Sequence, residues 1–221
     1  GGLLRWGIPE YRLPKKVLDD EIEYIKELGV EIKTNSPVRD LKELTGQGYK
    51  AIFLGVGAGL SQKMGIPGED AKGVVHALDF LKQVNSTEKI GIGNRVVVIG
   101  GGNAAVDAAR AALHLGAKEV SIVYRRSRVE MPAFKTEIDQ AEAEGVKIHL
   151  LATPVSVLTK NKQVTGIQCI RMELGEVDDS GRRRPIPVEG SEFNIDVDNV
   201  IMAIGQAVDK ATLPETLEYT D

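Results

Sequence analysis

One strand constrains the fold more than any other feature, because it runs without a break into three glycines. Arg95-Val96-Val97-Val98-Ile99 is β-branched and almost wholly apolar, Gly100-Gly101-Gly102 follows directly, and Ala104 to Leu115 reads as a helix of small residues. A continuous apolar run of this kind is a strand covered on both faces. That requires layers on either side of a sheet, and crossover helices if the sheet is parallel. The periodicity continues the unit. Val120–Tyr124 is a second strand, Phe134–Ala143 a helix and Val146–Leu150 a third strand. Residues 154–174 read as a hairpin with a polar turn at Lys160–Gln163, and 176–187 as charged and turn-rich. Val200-Ile201-Met202-Ala203-Ile204-Gly205 is one more buried strand ending in glycine. The expected class is α/β: a Rossmann-like, doubly wound parallel sheet with a small antiparallel β hairpin or meander.

Upstream the signal is thinner. Lys15–Leu28 places Leu18, Ile22, Ile25 and Leu28 at helical spacing. Val30–Lys33 is an expected strand, and Ala51-Ile52-Phe53-Leu54 is a short apolar run of buried-strand type ending in Gly55-Val56-Gly57-Ala58-Gly59. Gly65–Asp70 is a loop, and a helix is predicted over Ala77–Val84.

Gly100-Gly101-Gly102-Asn103-Ala104-Ala105 fits G-x-G-x-x-A, after a strand and at the start of a helix, which is the context a dinucleotide-binding loop requires. Gly100 permits the tight turn, Gly102 lets main chain approach a pyrophosphate, and Ala105 lets the helix pack close to the strand. The helix N–H groups and the positive end of its dipole then face the phosphates. A site for NAD carries Asp or Glu at the end of the second strand, to accept from the ribose 2′-OH. Here that strand ends at Tyr124, and Arg125-Arg126 follows. Two guanidiniums stand where they would pair with a 2′-phosphate, and no acid repels it, so the expected nucleotide is NADP(H). Ala203-Ile204-Gly205 is a strand end placed to line the same crevice.

Composition removes other classes. The net charge of -4 argues against a general nucleic-acid binder. No apolar run reaches the roughly 18 residues of a membrane span. Cys169 is the one cysteine, so this chain has no internal disulfide, no CxxC centre and no Cys-rich metal site. A reducing, cytoplasmic compartment is expected. His76, His114 and His149 are scattered, and no catalytic acid, base or metal ligand stands out. The chain opens at Gly1 without Met and closes at Asp221 without a recognisable terminal element, which leads us to expect a part of a longer protein.

Several segments together resemble one group of enzymes. They are Gly1-Gly2-Leu3-Leu4 through Gly7-Ile8-Pro9, Tyr11-Arg12-Leu13-Pro14, Ala51–Gly55, Val98–Asn103 with Asp107, Tyr124-Arg125-Arg126 with Met131-Pro132-Ala133, Leu174-Gly175-Glu176 with Gly181–Arg184, and Ala203-Ile204-Gly205. The group is the flavin-containing pyridine-nucleotide oxidoreductases typified by the glutamate synthase small subunit. It includes the amino-terminal region of dihydropyrimidine dehydrogenase, related ferredoxin:NADP oxidoreductases and large iron–sulfur oxidoreductases. The resemblance implies an NADPH domain inserted in an FAD domain: residues 1–80 as a partial FAD-binding domain, 88–205 as the NADP(H)-binding domain, and 206–221 as the return to the FAD domain. It implies NADP contacts at Gly101, Gly102, Asn103 and Ala104, with Arg125 and Arg126 on the 2′-phosphate and Ala203, Ile204 and Gly205 beside the nicotinamide. It implies FAD contacts at Gly1, Gly2, Leu3, Arg12 and Val38. The group's first FAD glycine fingerprint would precede Gly1 and its Gly-Asp motif would follow Asp221, so weak FAD binding by this chain is expected.

The implied function is electron entry: NADPH exchanges hydride with FAD, and electrons pass on to iron–sulfur clusters of a partner domain or subunit outside this chain. Two other readings compete with this one. Tyr11 and Lys15 have the Tyr-x-x-x-Lys spacing of a short-chain dehydrogenase, but Pro14 interrupts the helix that pair needs and the pair precedes the glycine loop. A nucleotide-sensing regulatory module, binding without turnover, remains the alternative. The acidic and basic run Glu176–Arg184 reads as a solvated hairpin tip or a docking patch for a partner subunit.

Overall fold

The computed structural model describes residues 1–86, 90–210 and 213. In chain order the helices and strands begin with α1 (Gly2–Trp6), α2 (Lys15–Glu27), α3 (Leu41–Gly46), β1 (Leu60–Ser61), β2 (Val74–His76) and α4 (Ala77–Asn85). They continue with β3 (Arg95–Ile99), α5 (Asn103–His114), β4 (Glu119–Tyr124), a 3-10 turn (Arg128–Glu130), α6 (Lys135–Ala143) and β5 (Lys147–Leu150). The last are β6 (Ala152–Lys160), β7 (Gln163–Val177), β8 (Arg183–Pro187), β9 (Phe193–Asp196), β10 (Asn199–Met202) and β11 (Gln206–Ala207). The chain divides into two compact units. One is Gly1–Pro14 with Lys63–Ile204, the other Lys15–Gln62 with Gly205–Asp221. The sequence boundaries near residues 80 and 88 both fall inside the first unit. The expected return segment 206–221 lies for the most part outside the described residues.

The first unit is built on a parallel five-stranded sheet in the order β2-β10-β3-β4-β5. Pleating sends alternate side chains of β3 to opposite layers. Val96 and Val98 join the core that holds Phe80, Leu81, Ala105, Ala109, Ala112, Ile138 and Ala141, contributed by α4, α5 and α6. Val97 and Ile99 join the core that holds Ala152, Val157, Val164, Ile167 and Cys169. The second core comes from an antiparallel sheet, β6-β7-β8 with β9 on the other edge of β7. The apolar run is therefore explained by helices beneath and a β layer above. Val96, Val97 and Val98 are fully buried, and each burial contributes roughly 1.5–3 kcal/mol. The polar turn lies where expected: β6 ends at Lys160, β7 begins at Gln163, and Asn161 and Lys162 take left-handed φ of 52° and 62°. The charged stretch after it is largely ordered, since β7 runs on to Val177 and β8 turns back along it.

An ionic network fastens α5 to its neighbours. Arg110 forks onto Glu144 with Nε at 3.0 Å and Nη2 at 2.7 Å, and its Nη1 donates to Glu137 at 2.9 Å. Its guanidinium lies 4.5 Å from the centre of the Tyr11 ring. Arg12 Nη1 donates to Asp107 Oδ2 at 2.6 Å, which ties the segment before Pro14 to the same helix. Asp107 is 3% exposed, and burial pushes its carboxyl up by more than Arg12 pulls it down.

In the second unit, β1 and β11 pair antiparallel, with Leu60 opposite Ala207. Helix α2 forms as the spacing predicts, but of its apolar positions only Leu18 is buried, and Leu28 beyond its end is exposed. Two strand expectations are corrected. Val30–Lys33 and Ala51–Leu54 form no ladder among the described residues, and Phe53 is 94% exposed. β-branched and aromatic content suits a residue to a strand, but a strand exists only where another pairs with it, and here no described strand does.

Candidate nucleotide-binding site

The glycine loop sits between the ends of three parallel strands. Gly100 N donates to the Val123 carbonyl of β4 at 3.0 Å, and Ala203 N, just past β10, donates to the Ile99 carbonyl at 2.8 Å. Gly100 has φ +139°, and a Cβ there would lie well inside contact with the Ala203 carbonyl oxygen. Glycine is thus demanded at this position twice, by conformation and by the close approach of the two strand ends. At Gly101 the demand is different: an added Cβ would stand 2.5 Å from the Tyr124 ring, which roofs the loop.

Gly102 is the open position. It caps the N-terminus of α5 with φ −89° and ψ 176°, an ordinary extended conformation. A Cβ there would meet only Pro132 Cγ, at 3.9 Å. Neither backbone nor packing requires glycine here, so the bare main chain leaves space beside the first turn of a twelve-residue helix. Ala105 N and Val106 N donate to the Gly102 carbonyl at 3.0 and 3.2 Å, which leaves the N–H groups of Asn103 and Ala104 ahead of them without an intrahelical acceptor, and the dipole favours an anion there. The loop is held from one side by residues 131–134. Ala133 N donates to the Gly101 carbonyl at 3.2 Å, and Phe134 N to Asn103 Oδ1 at 3.0 Å. Ala104 stands in the first turn, and Ala105, fully buried, lets α5 close on the sheet.

The two arginines at the end of β4 differ. Arg125 is exposed, and no described residue pairs with it. Arg126 is 4% exposed: its Nη2 donates to Asp178 Oδ2 at 2.6 Å, and its Nε to the Arg183 carbonyl at 2.7 Å. The expectation of two open guanidiniums is corrected to one, because the β7–β8 hairpin folds back and takes the second. Hydrogen bonds from Ser180, helped by Arg126, hold the Asp178 carboxyl down to about 2, so it meets Arg126 as a carboxylate at neutral pH. Glu130 and Ser127 cap the 3-10 turn that follows, and Tyr124 Oη donates to the Glu130 carbonyl at 2.7 Å.

The remaining expected site residues fall in separate places. Ala203 packs on Gly100, and Ile204 ends the first unit. Gly205 belongs to the second unit, where its carbonyl accepts from Gln62 N at 3.1 Å. Gly1, Gly2 and Leu3 lie in and before α1 in the first unit, all exposed, and Val38 lies exposed in the second. Arg12 has its guanidinium on Asp107, with Glu137 at 3.6 Å. Sequence reasoning missed Asp178 as the partner of Arg126. It also missed the hold of Phe134 on Asn103, although Met131-Pro132-Ala133 carried part of the resemblance.

The family described as "Pyridine nucleotide-disulphide oxidoreductase" matches residues 15–220. The NADP(+)-dependent formate dehydrogenase subunit beta of Moorella thermoacetica is 47% identical, over 99% of this chain and 32% of that protein. The NADPH-Fe(3+) oxidoreductase subunit beta of Geobacter sulfurreducens is 46% identical, over 98% of this chain and 33% of that protein. The glutamate synthase [NADPH] small chain of Escherichia coli is 40% identical, over 93% of this chain and 46% of that protein. This chain thus spans from about a third to just under half of these curated relatives. FprA of Mycobacterium tuberculosis, solved in complex with NADPH, superposes with a TM-score of 0.75 at 22% identity, over 93% of this chain and 61% of that one. At that identity the likeness speaks for the fold.

Proposed function

The chain belongs to the pyridine nucleotide-disulphide oxidoreductase family, and on that premise we propose that it is the NADPH-binding part of an electron-entry module. The observation that carries the reading is the open main chain at Gly102 beside the α5 N-terminus, with Arg125 exposed at the end of the neighbouring strand. Gly101, Gly102, Asn103 and Ala104 would hold the pyrophosphate of the nucleotide, and Arg125 would meet its 2′-phosphate. Ala203 and Ile204, at the end of β10, would line the nicotinamide end of the crevice. Bound NADPH supplies a hydride, and the proposed acceptor is FAD carried by the whole protein. The chain's own contribution is binding and orientation. Its single cysteine is buried and its thiol is pushed up to about 12, so it takes no part in dithiol chemistry.

The flavin set fits less well. Arg12, its charged member, is engaged by Asp107 and Glu137, so the set offers flavin no free guanidinium. The partner proposed is a subunit or domain bearing iron–sulfur clusters. The support is that relatives across nearly the whole chain are named as beta or small subunits of NADP-linked oxidoreductases. No helix among the described residues is long and apolar enough to cross a membrane.

Calorimetric titration of NADPH and NADH tests the nucleotide assignment. A charge-assisted hydrogen bond to phosphate contributes roughly 1.5–3 kcal/mol, less where solvent and salt screen it. With one exposed guanidinium the expected preference for NADPH is about 10- to 100-fold. Arg125→Ala should remove most of it and leave NADH binding unchanged. Equal affinity of the unaltered chain for the two nucleotides would overturn the assignment.

A further inference from the structure

Arg126 is held from every side by chain distant in sequence. Beyond its bonds to Asp178 and the Arg183 carbonyl, its own carbonyl accepts from Leu151 N at 3.1 Å. The Leu151 carbonyl in turn accepts from Met172 N of β7 at 2.8 Å. The hairpin side of this grip is itself closed. Asp178 N donates to the Arg182 carbonyl and Gly181 N to the Asp178 carbonyl, each at 2.8 Å, while Ser180 N donates to Asp178 Oδ1 at 2.9 Å. The carboxylate that meets Arg126 therefore stands on a built turn.

Resting on the NADPH reading above, we propose that Arg126 is a positioning residue: clamped by Asp178 and the Arg183 carbonyl, it fixes the end of β4 so that Arg125 meets the 2′-phosphate. The β7–β8 hairpin, through Asp178, then sets the preference for a 2′-phosphorylated dinucleotide. Nε and Nη2 of this buried guanidinium could turn to a ligand only by breaking two hydrogen bonds and leaving the Asp178 carboxylate without its cation. Arg125 carries no such burden. It does carry a long, freely rotating side chain, and ordering such a chain weakens binding unless the backbone beneath it is already fixed. Main-chain and side-chain bonds on the next residue provide that fixing. The charged stretch around Asp178 thus has a use that solvation alone does not explain.

The test compares Asp178→Asn, Arg126→Lys and Arg125→Ala in the full chain, titrated with NADPH and with NADH. Asp178→Asn removes a negative charge close to the proposed phosphate site. If Arg126 were a ligand held back by Asp178, NADPH would bind more tightly in this variant. The positioning role gives the opposite sign: NADPH binding falls about three- to tenfold while NADH stays within about twofold. Arg126→Lys keeps the charge and loses the fork, and should fall as far as Asp178→Asn. The double variant Arg125→Ala/Asp178→Asn should bind NADPH no more weakly than Arg125→Ala alone. Retained NADH affinity shows that each variant is folded. Tighter or unchanged NADPH binding in Asp178→Asn, with Arg125→Ala impaired, overturns this inference alone. An unimpaired Arg125→Ala overturns both this inference and the nucleotide assignment.

Discussion

Gly102→Ala should separate binding from folding. The residue has φ −89° and ψ 176°, which alanine adopts freely, and its new methyl would find only Pro132 Cγ at 3.9 Å. Two opposing effects on stability remain. Alanine is a poorer N-cap than glycine by a few tenths to about 1 kcal/mol. Against this, removing a glycine restricts the unfolded chain and stabilises by about 0.4–1 kcal/mol. The sum should lie within about 1 kcal/mol of zero. The methyl would nonetheless project into the space where a pyrophosphate must touch bare main chain. A displaced phosphate loses charge-assisted contacts of about 1.5–3 kcal/mol each, so NADPH should bind about 10- to 100-fold more weakly. Urea unfolding with calorimetric titration reads both quantities from one preparation. Gly100→Ala is the contrast. There φ is +139° and the Ala203 carbonyl blocks the methyl, so folding should suffer by about 2 kcal/mol or more. An alanine at 102 that binds NADPH as well as glycine does would refute the placement of the pyrophosphate. One that costs as much stability as alanine at 100 would refute the claim that this position is open.

Arg12→Met should destabilise the first unit by about 3 kcal/mol, because it leaves the buried Asp107 carboxylate without its cation, and Asp107→Asn should restore part of that loss. Burial already raises the folded Asp107 pKa, so its favourable contribution is present below the unfolded value of about 3.9 and lost as pH rises through the folded value. The Arg12→Met variant should therefore lose less stability, relative to the unaltered chain, near pH 4 than at pH 7, as urea midpoints at the two pH values would show. Cys169 is fully buried with its thiol pushed up to about 12, so an aromatic disulfide reagent at pH 8 should label it at least about 100-fold more slowly in the native chain than in urea. Comparable rates in the two states would place Cys169 at the surface.

The parts of the site legible in sequence are those written in local conformation. Val96 to Ala105 announced strand, turn and helix because each residue type suits only its place, and the resemblance to the glutamate synthase small subunit group followed from segments of the same kind. Long-range pairings were not legible. Asp178 lies 52 residues from Arg126 in a run whose composition fits a solvated tip, and nothing local marks one carboxylate of that run as a partner. Nothing near Arg12 in sequence marks its partner either, because Asp107 is 95 residues away. Ala51–Leu54 failed for a related reason. Its composition satisfies a strand, but pairing depends on chain elsewhere, and Phe53 faces solvent.

The order of strands in the parallel sheet has a consequence for how the protein is made. β10 lies between β2 and β3, with Val200 opposite both Val74 and Val97, yet it is the last of the five strands to leave the ribosome. Until then β2 has no neighbour in the sheet, and β3 shows an unpaired edge of valines. At about 5–20 residues per second, the interval from Ile99 to Met202 is about 5–20 s. During that time the antiparallel hairpin of β6 and β7 can already form from local chain. The sheet is therefore closed late, by a four-residue strand that must find a slot between two partners, and a nascent-chain chaperone would find its binding surface on the waiting β3 edge.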